Sequence, residues 1–387
     1  MDYMARALEL ARLALGRTSP NPAVGAVVVT SGQVVGEGFT QPAGSWHAEA
    51  MALRQAGERA RGGTLYVSLE PCCHHGRTPP CTDAIREAGV AAVHVATLDP
   101  NPLVAGKGVS ALREAGVQVA VGEREAEARR LNEAFFAYVS RGTPLVVAKW
   151  AMSLDGKIAT RTGASRWISG PQARAFVHHL RDTLDAVAVG VSTVIADDPL
   201  LTARVESADA CRLPRQRPLL RVIFDSRGRT PPGSRVLQPT EGAETLIVTT
   251  TLCPPETVRR LESAGASVAV APARGGRVDL AGALAMLGRM EVTSLLVEGG
   301  GTLLASFAAE RLFDKVHAII APKIVGGCEA PTPVEGNGCA DLAEALSLQN
   351  VTFEALGPDL LVTGYAQSAL SPLIEIVPGA FDERRQG

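Results

Sequence analysis

Strand-like and helix-like segments alternate along this chain in two successive blocks, and this alternation is the feature that most constrains its fold. The first block runs from residue 24 to residue 116. A repeated β–α–β order favours a largely parallel sheet that is covered by helices. The predicted fold class is therefore α/β. In this block we predict strands at 24–29, 64–70 and 90–97, and helices at 47–60, 82–89 and 110–116.

Two more helices flank this block, and a turn-rich segment ends it. Residues 1–16 carry apolar side chains at helical spacing, and residues 123–138 predict a charged helix. The segment 140–144 is rich in turn formers, and a new alternating pattern follows it. The 387 residues suffice for two domains of ordinary size. We predict a first domain over residues 1–142, a second over 145–366, and a C-terminal tail over 367–387.

The second block also predicts an α/β unit. Its helix patterns lie at 171–184, 255–264, 280–289 and 303–310, and its strand patterns at 144–156, 186–194, 219–226, 245–250, 267–272, 294–300 and 315–326. A glycine-rich turn, Gly299-Gly300-Gly301-Thr302, joins a strand pattern to a helix pattern. Such a turn lets backbone N–H groups approach a pyrophosphate, although an ordinary turn would look the same. No G-x-G-x-x-G follows the first strand, so a standard Rossmann site is not supported.

Charge and hydropathy exclude some classes of protein. The 38 basic and 40 acidic residues give a net charge of −2, which argues against nucleic-acid binding through bulk positive charge. No apolar run approaches 18 residues, so we expect no membrane span. Charged residues interrupt residues 1–16, which do not resemble a signal peptide. We therefore expect a cytoplasmic protein whose seven cysteines stay reduced.

His47, Cys72 and Cys81 have the residue types and spacing of a catalytic zinc site. One imidazole and two thiolates supply three ligands and leave the fourth position open for water. Glu49 lies two positions after the histidine, where it is suited to carry a proton without binding the metal. Bound zinc would lower the pKa of a water molecule to about 7. This pattern predicts hydrolytic deamination.

A closed structural zinc site is the alternative. Its fourth ligand would be Cys73, His74 or His75, which all lie between the two cysteine ligands. The acidic residue beside the histidine argues against this alternative, because a structural site needs no proton carrier.

The long spacing between Cys72 and Cys81, together with several other segments, resembles the RibD family of bifunctional riboflavin-biosynthesis deaminase/reductases. In the first domain the matching segments are 20–25, 99–102, 106–108 and 131–136. In the second domain they are 149, 153–157, 162–169, 190–193, 197–204, 298–300 and 321–323. The resemblance covers roughly residues 1–366.

The resemblance implies a cytidine-deaminase-like α/β/α domain followed by a dihydrofolate-reductase-like α/β domain. It implies one Zn²⁺ in each deaminase domain and NADPH in the reductase. The expected substrate is a small pyrimidinone that bears a ribosylamino phosphate. Its ring amino group would be removed by hydrolysis, and its ribosyl group would then be reduced to ribityl. The resemblance also implies a homo-oligomer, either a dimer or a tetramer.

The resemblance further assigns residues to roles. The expected substrate contacts are Asn21, His75, Ser165, Arg181, Leu201, Arg204 and Glu298. The expected cofactor contacts are Ala151, Trp167, Thr193, Asp197, Gly299, Gly300, Gly301 and Thr302. A guanidinium can bind a phosphate through two N–H groups, and the region of the two arginines is the one assigned to the ribose phosphate. Lys149 and Asp197 are the candidates for polar assistance to hydride transfer, and Trp167 could instead be a core residue.

Two other functions fit parts of the sequence. One is a nucleic-acid base deaminase with an unrelated second domain, which would need a basic groove. The other is an enzyme with one active domain, in which the second domain serves only for binding or assembly. The balanced charge argues against the first, and the presence of both sets of motifs argues against the second.

Overall fold

The computed structural model describes residues 1–75, 79–205 and 213–366, so the predicted tail at 367–387 lies outside the described residues. The described chain divides into two compact units. One consists of residues 1–141 with 213–217, and the other of residues 142–205 with 218–366. Within the described part of the chain, no helix is long and apolar enough to cross a membrane.

The N-terminal unit has helices on a five-stranded sheet. Its helices are α1 (Tyr3–Ala14), α2 (Ala48–Ala56), α3 (Cys81–Glu87), α4 (Lys107–Glu114), α5 (Glu125–Leu131) and α6 (Glu133–Arg141). Its strands are β1 (Gly25–Thr30), β2 (Gln33–Phe39), β3 (Thr64–Val67), β4 (Ala92–Val95) and β5 (Gln118–Val121). A 3₁₀ turn at Gly57–Ala60 extends α2. The strand order is β2-β1-β3-β4-β5.

The parallel sheet predicted for this unit is only partly correct. Strands β3, β4 and β5 are parallel, but β1 is antiparallel to both β2 and β3. Strand β2 was not predicted, because β1 turns back after only Ser31 and Gly32. Both residues have positive φ (52° and 76°), as a tight hairpin turn requires.

Glycines in β2 let helix α2 lie directly on the strand backbone. A Cβ atom at Gly36 would come within 2.1 Å of the Ala52 carbonyl oxygen, and one at Gly38 within 2.3 Å of the Ala48 carbonyl oxygen. Any larger side chain would therefore push the helix away. This close packing fixes the N-terminal end of α2, which carries His47 and Glu49.

The C-terminal unit is built on a nine-stranded sheet. Its strands are β6 (Leu145–Ser153), β7 (Ala186–Gly190), β8 (Leu219–Phe224), β9 (Ala243–Thr249), β10 (Ser267–Val270), β11 (Ala273–Arg274), β12 (Arg277–Val278), β13 (Ser294–Gly299), β14 (Lys315–Ala321), β15 (Leu348–Leu356) and β16 (Asp359–Ala366). Its helices are α7 (Pro171–Thr183), α8 (Val191–Asp197), α9 (Pro255–Ser263), α10 (Leu280–Arg289) and α11 (Gly301–Ala309). Short 3₁₀ turns lie at Arg235–Leu237 and Leu342–Glu344.

Eight of the nine strands of this sheet run in the same direction, and β16 runs opposite to its two neighbours. The order is β10-β9-β8-β7-β13-β6-β14-β16-β15, and β11 and β12 form a separate small hairpin. Strands β14, β16 and β15 pair antiparallel. The core contains apolar residues from the central strands and from α10 and α11, with Leu295, Leu296 and Val297 of β13 fully buried.

Two sequence predictions for individual elements need correction, and one hairpin was not predicted. Residues 186–194 were predicted as one strand, but β7 ends at Gly190 and α8 begins at Val191. The predicted helix at 123–138 is two helices, α5 and α6, which meet at Asn132. The hairpin of β15 and β16 was not predicted, because most residues of β15 are exposed and show no clean alternation.

Candidate active sites

The three predicted metal ligands come together in the N-terminal unit. The ligand atoms of His47, Cys72 and Cys81 all lie within 4.8 Å of one another. The Nδ1 atom of His47 is 3.2 Å from Sγ of Cys81 and 3.6 Å from Sγ of Cys72. In a tetrahedral zinc site, nitrogen and sulfur ligands lie about 3.5 Å apart. The donor set and its spacing therefore fit Zn²⁺.

Two helix N-termini position these ligands. His47 precedes the first residue of α2, and Cys81 is the first residue of α3. The backbone N–H of Cys81 donates to Sγ of Cys72 at 3.3 Å. Hydrogen bonds from the Cys81 thiol and from His47 lower the pKa of Cys72. These contacts favour the thiolate form of Cys72, whereas the contact with Cys72 and burial raise the pKa of Cys81.

Glu49 lies in the first turn of α2 and is almost completely buried, with 4% of its surface exposed. Burial, with a smaller contribution from the negative charge of Cys72, raises the pKa of Glu49 to about 7. A carboxyl group with a pKa near neutrality can both take up and return a proton. This is the property that the proposed proton carrier needs.

The geometry favours an open site over a closed one. Among the described residues, the metal-binding cluster contains three ligands. The Sγ atom of Cys73 faces the carbonyl oxygen of Leu103 at 3.9 Å. His75 is exposed, and Nδ1 of His74 is buried without a hydrogen-bond partner. These candidates for a fourth ligand lie outside the cluster.

A buried carboxylate positions the loop that follows β4. The side chain of Glu70 accepts hydrogen bonds from the backbone N–H groups of Asp99 (3.2 Å), Gly106 (2.9 Å) and Val109 (3.0 Å). A Cβ atom at Gly108 would come within 2.1 Å of the Pro71 carbonyl oxygen. This loop therefore packs against the segment that carries Cys72. The sequence analysis found the loop but not the anchoring role of Glu70.

The segment that contains Asn21 has an anchor of its own. The Asn132 side chain accepts a hydrogen bond from the Ala23 N–H at 2.8 Å and donates one to the Ala23 carbonyl at 2.9 Å. Asn21 is half-buried in the turn before β1, where its N–H donates to the Thr18 carbonyl at 2.9 Å. Asn132 lies between α5 and α6, and its side chain therefore holds the turn before β1 in place.

Most of the site residues predicted for the second domain line a cavity of about 670 Å³ in the C-terminal unit. These are Lys149, Ala151, Ser165, Trp167, Arg181, Thr193, Asp197, Arg204, Glu298, Gly299, Gly300, Gly301 and Thr302. Leu201 lines an adjoining cavity of about 390 Å³, which shares Lys149 and Glu298 with the first. Residues far apart in sequence therefore converge where the parallel strands end.

A buried ionic cluster lies in the wall of this cavity. Arg181 donates from Nε and Nη2 to the carboxylate of Glu298, with Nη2 at 2.9 Å from Oε2, and Lys149 Nζ is 3.8 Å from Oε2. Burial would raise the pKa of Glu298, but the charges of Arg181 and Lys149 outweigh it and lower that pKa. Burial lowers the pKa of Lys149. The cluster thus holds an ionised Glu298 between two cations.

Arg181 makes three hydrogen bonds within the protein. The Nε and Nη2 atoms of Arg181 donate to the Glu298 carboxylate, and Nη1 donates to the Thr202 carbonyl at 3.1 Å. The substrate contact expected for Arg181 stays a prediction. A buried guanidinium is costly without a counter-charge, and Glu298 supplies that charge within the protein. Arg204, by contrast, is exposed.

Trp167 and Asp197 lie on the rim of the cavity. Trp167 is 63% exposed, so its alternative assignment to the core is wrong. The Arg174 guanidinium lies 4.6 Å from the centroid of its ring. The carboxylate of Asp197 accepts a hydrogen bond from Ser165 Oγ at 3.4 Å. Neither Arg174 nor this pairing was identified from the sequence.

The glycine-rich turn has the form that a bound diphosphate requires. Gly299 and Gly300 have φ values of 153° and 84°, and α11 begins at Gly301 and runs for nine residues. The first N–H groups of a helix have no partner within the helix and attract anions. The turn lines the cavity, so the residues present fit a dinucleotide cofactor.

Glu335 was missed by the sequence analysis and lies at this same helix start. Its carboxylate accepts a hydrogen bond from Thr302 Oγ1 at 3.2 Å, and its N–H donates to the Gly301 carbonyl at 3.2 Å. A Cβ atom at Gly301 would lie 2.5 Å from the Glu335 side chain. No sequence motif pointed to this residue, because 34 positions separate it from its neighbour in space.

Comparison with known proteins finds related families for both parts of the chain. Residues 1–97 match the family model of the cytidine and deoxycytidylate deaminase zinc-binding region, and residues 144–362 match that of the RibD C-terminal domain. The chain is 43% identical over 365 residues to riboflavin biosynthesis protein RibD of Actinobacillus pleuropneumoniae, with 94% of each chain covered. These matches confirm the predicted fold class.

Two solved structures cover nearly the whole chain. RibD of Acinetobacter baumannii (form 1) aligns with a TM-score of 0.82 and 38% identity over 94% of this chain and 98% of that one. A diaminohydroxyphosphoribosylaminopyrimidine deaminase/5-amino-6-(5-phosphoribosylamino)uracil reductase from Thermotoga maritima aligns with a TM-score of 0.78 and 36% identity, over 94% and 97% of the two chains.

Proposed function

Because the chain belongs to the RibD family of bifunctional riboflavin-biosynthesis deaminase/reductases, we propose that residues 1–142 carry the deaminase and residues 145–366 the reductase. The substrate of the first is 2,5-diamino-6-(5-phosphoribosylamino)pyrimidin-4(3H)-one. Its product, 5-amino-6-(5-phosphoribosylamino)uracil, is reduced by the second to the 5-phosphoribitylamino compound. The observation that carries this proposal is the open His47–Cys72–Cys81 cluster beside the buried Glu49.

In the deaminase, His47, Cys72 and Cys81 would hold the zinc ion, which acts as a Lewis acid and lowers the pKa of water. Glu49 takes a proton from the attacking water and returns it to the leaving amino group. The ring carbon gains the oxygen and loses the nitrogen as ammonia. Asn21 and His75 lie on flanking loops and contact the substrate.

In the reductase, NADPH supplies the hydride that adds to C1′ of the opened ribosyl group. The Gly299–Gly301 turn and Thr302 bind its diphosphate, and Ala151, Trp167 and Thr193 bind the rest of the cofactor. Ser165, Leu201 and Glu298 hold the substrate, and Arg204 binds its phosphate. Lys149 and Asp197 hold the proton that the reduced centre requires. Arg181 keeps Glu298 ionised and in place.

The enzyme acts on a small molecule, and we further propose that it works in the cytoplasm as a homo-oligomer. Two of its zinc ligands are thiolates, which a reducing compartment preserves. Sedimentation analysis of the purified chain tests the oligomeric state, and cell fractionation tests the compartment. A monomer, or an exported protein, would contradict these assignments.

Removal of zinc is expected to separate the two activities. Chelation should abolish ammonia release but leave NADPH oxidation on pre-deaminated substrate unchanged, because the ligands belong to the N-terminal unit alone. Cys72→Ser should lose the metal, and Cys73→Ser is the matched control that should retain it. Metal analysis and both assays on each variant provide the measurement. Equal loss of both activities on chelation would contradict the proposal.

Neutralising Glu335 is expected to tighten NADP⁺ binding. Its carboxylate lies at the start of α11, where it repels the diphosphate and competes for Thr302. We expect Glu335→Gln to lower the Kd for NADP⁺ about two- to fivefold, a size typical of a charge at a helix terminus. Calorimetric titration measures the Kd, with the exposed Glu329→Gln as control. Weaker binding by Glu335→Gln would instead make Glu335 a cofactor ligand.

A further inference from the structure

His178 on α7 lies beside Arg204, and the sequence analysis assigned it no role. Its Nε2 atom is 3.2 Å from Nη2 of Arg204, and its Nδ1 atom is 3.1 Å from the carbonyl oxygen of Thr202. The imidazole lines the same cavity as Arg181 and Glu298. It therefore lies between the backbone and the guanidinium that the proposed function assigns to the substrate phosphate.

Besides these two contacts, the backbone N–H of Arg204 approaches Nδ1 of His178 at 3.3 Å. A guanidinium can only donate, so Nε2 must accept from Arg204. A carbonyl oxygen can only accept, so Nδ1 must carry the proton and donate to Thr202. The neutral imidazole with its proton on Nδ1 satisfies the contacts to Thr202 and to the Arg204 guanidinium, and in this form Nδ1 does not accept from the Arg204 N–H. In the doubly protonated ring, an Nε2–H group would point at a cation.

The neighbouring charges also favour the neutral ring. Arg181 faces His178 from the same helix, Arg204 from the segment after α8, and Glu298 from the end of β13. Burial and the two arginines lower the pKa of His178 and outweigh the carboxylate. The ring is therefore an uncharged acceptor at neutral pH.

The two arginines of the cavity are held in different ways. Arg181 is paired with the carboxylate of Glu298, which neutralises its charge. Arg204 is held by a neutral imidazole, and among the described residues no carboxylate pairs with it. The contact with His178 does not neutralise the charge of Arg204. A neutral acceptor thus orients a cation without neutralising it.

We propose that His178 is a positioning residue of the reductase, whose neutral imidazole holds the Arg204 guanidinium toward the substrate phosphate. The inference rests on the proposed function, because it takes the phosphate role of Arg204 as given. His178 does not touch the reacting atoms. Its loss should therefore weaken substrate binding and leave hydride transfer nearly unchanged.

The test is the reductase reaction of the full-length zinc-loaded enzyme with pre-deaminated substrate and saturating NADPH. His178→Ala should raise KM about ten- to thirtyfold, the size expected for a lost hydrogen bond to a charged group, with kcat changed by less than about twofold. His178→Gln, which keeps an acceptor near the position of Nε2, should recover most of the affinity. His179→Ala is the matched control, since His179 is the next residue of α7 and is exposed.

Arg204→Ala separates failure of this inference from failure of the proposed function. If Arg204→Ala raises KM and the double variant His178→Ala/Arg204→Ala is no worse, the two residues act as one unit and the inference is supported. If Arg204→Ala raises KM but His178→Ala does not, the inference is wrong and the proposed function stands. If Arg204→Ala leaves KM unchanged, the phosphate role of Arg204 is wrong and the inference fails with it.

A pH profile gives a readout that a merely structural role would not change. Protonation of His178 at acid pH removes the acceptor and adds a repelling charge, so KM of the native enzyme should rise as pH falls below the ordinary histidine pKa. The His178→Gln variant has no such group, so its KM should rise less. The phosphate of the substrate also titrates near pH 6, but it does so equally for both proteins. Identical profiles would overturn the inference. Unchanged NADP⁺ affinity and ammonia release show that each variant is folded.

Discussion

Replacing Glu49 by glutamine is expected to stop ammonia release while zinc stays bound. The amide has nearly the same shape, but it cannot take a proton from water and pass it to the leaving amino group. Proton transfer by a positioned group contributes about 10²- to 10⁴-fold to a rate. We therefore expect kcat of the deaminase to fall by at least about 10²-fold. Ammonia release and zinc content, measured on the same preparation, provide the test.

Two controls accompany this variant. The reductase should oxidise NADPH at the native rate when it is given pre-deaminated substrate, because Glu49 belongs to the other unit. Glu58→Gln, which changes an exposed acid in the turn after α2, should leave both activities intact. A Glu49→Gln enzyme that still deaminates near the native rate, or a native enzyme without zinc, would contradict the mechanism.

Replacing Glu298 by glutamine is expected to damage both the stability and the activity of the C-terminal unit. The change removes the carboxylate that Arg181 and Lys149 both contact in the interior. Breaking a buried ion pair by removing one partner costs about 3 to 5 kcal/mol. We expect the unfolding transition of this unit to move to lower urea concentration, and kcat/KM of the reductase to fall about 10- to 100-fold. Urea titration of the full chain and both enzyme assays measure these effects.

Two variants test the cause of this effect. Glu310→Gln removes a carboxylate that pairs with Arg274 near the surface at 3.8 Å, and it should change stability by less than about 1 kcal/mol. Arg181→Met combined with Glu298→Gln removes one buried cation together with its partner. This double variant should be more stable than Glu298→Gln alone. If Glu298→Gln unfolds at the native urea concentration, the ionic cluster does not stabilise the unit.

Local sequence patterns predicted the zinc cluster well. Cys72 and Cys81 are only nine positions apart, and His47 and Glu49 are two positions apart at the start of one helix. Such spacing limits the possible chemistry, because few arrangements of one imidazole and two thiols suit anything but a metal. The strands β3 and β4 were also predicted, since parallel strands that are covered by helices are short apolar runs.

Other features could not be predicted, because they depend on contacts between distant segments. The antiparallel direction of β1 follows from the two-residue turn at Ser31 and Gly32, which an apolar pattern does not show. The hairpin of β15 and β16 has an exposed face and gives no periodic signal. Roles for His178 and Glu335 could not be predicted from the sequence, because only the folded chain places them beside Arg204 and Gly301.

The sequence by itself determined the residue types and spacing of the zinc ligands, the order of most helices and strands, and the family. These features are local or are shared in order with related chains. The tertiary structure decided which charges meet. In the folded chain Arg181 pairs with the Glu298 carboxylate, whereas Arg204 contacts the neutral imidazole of His178. The physical reason is burial, because a guanidinium inside the protein requires a carboxylate, whereas an exposed one can remain available for the substrate.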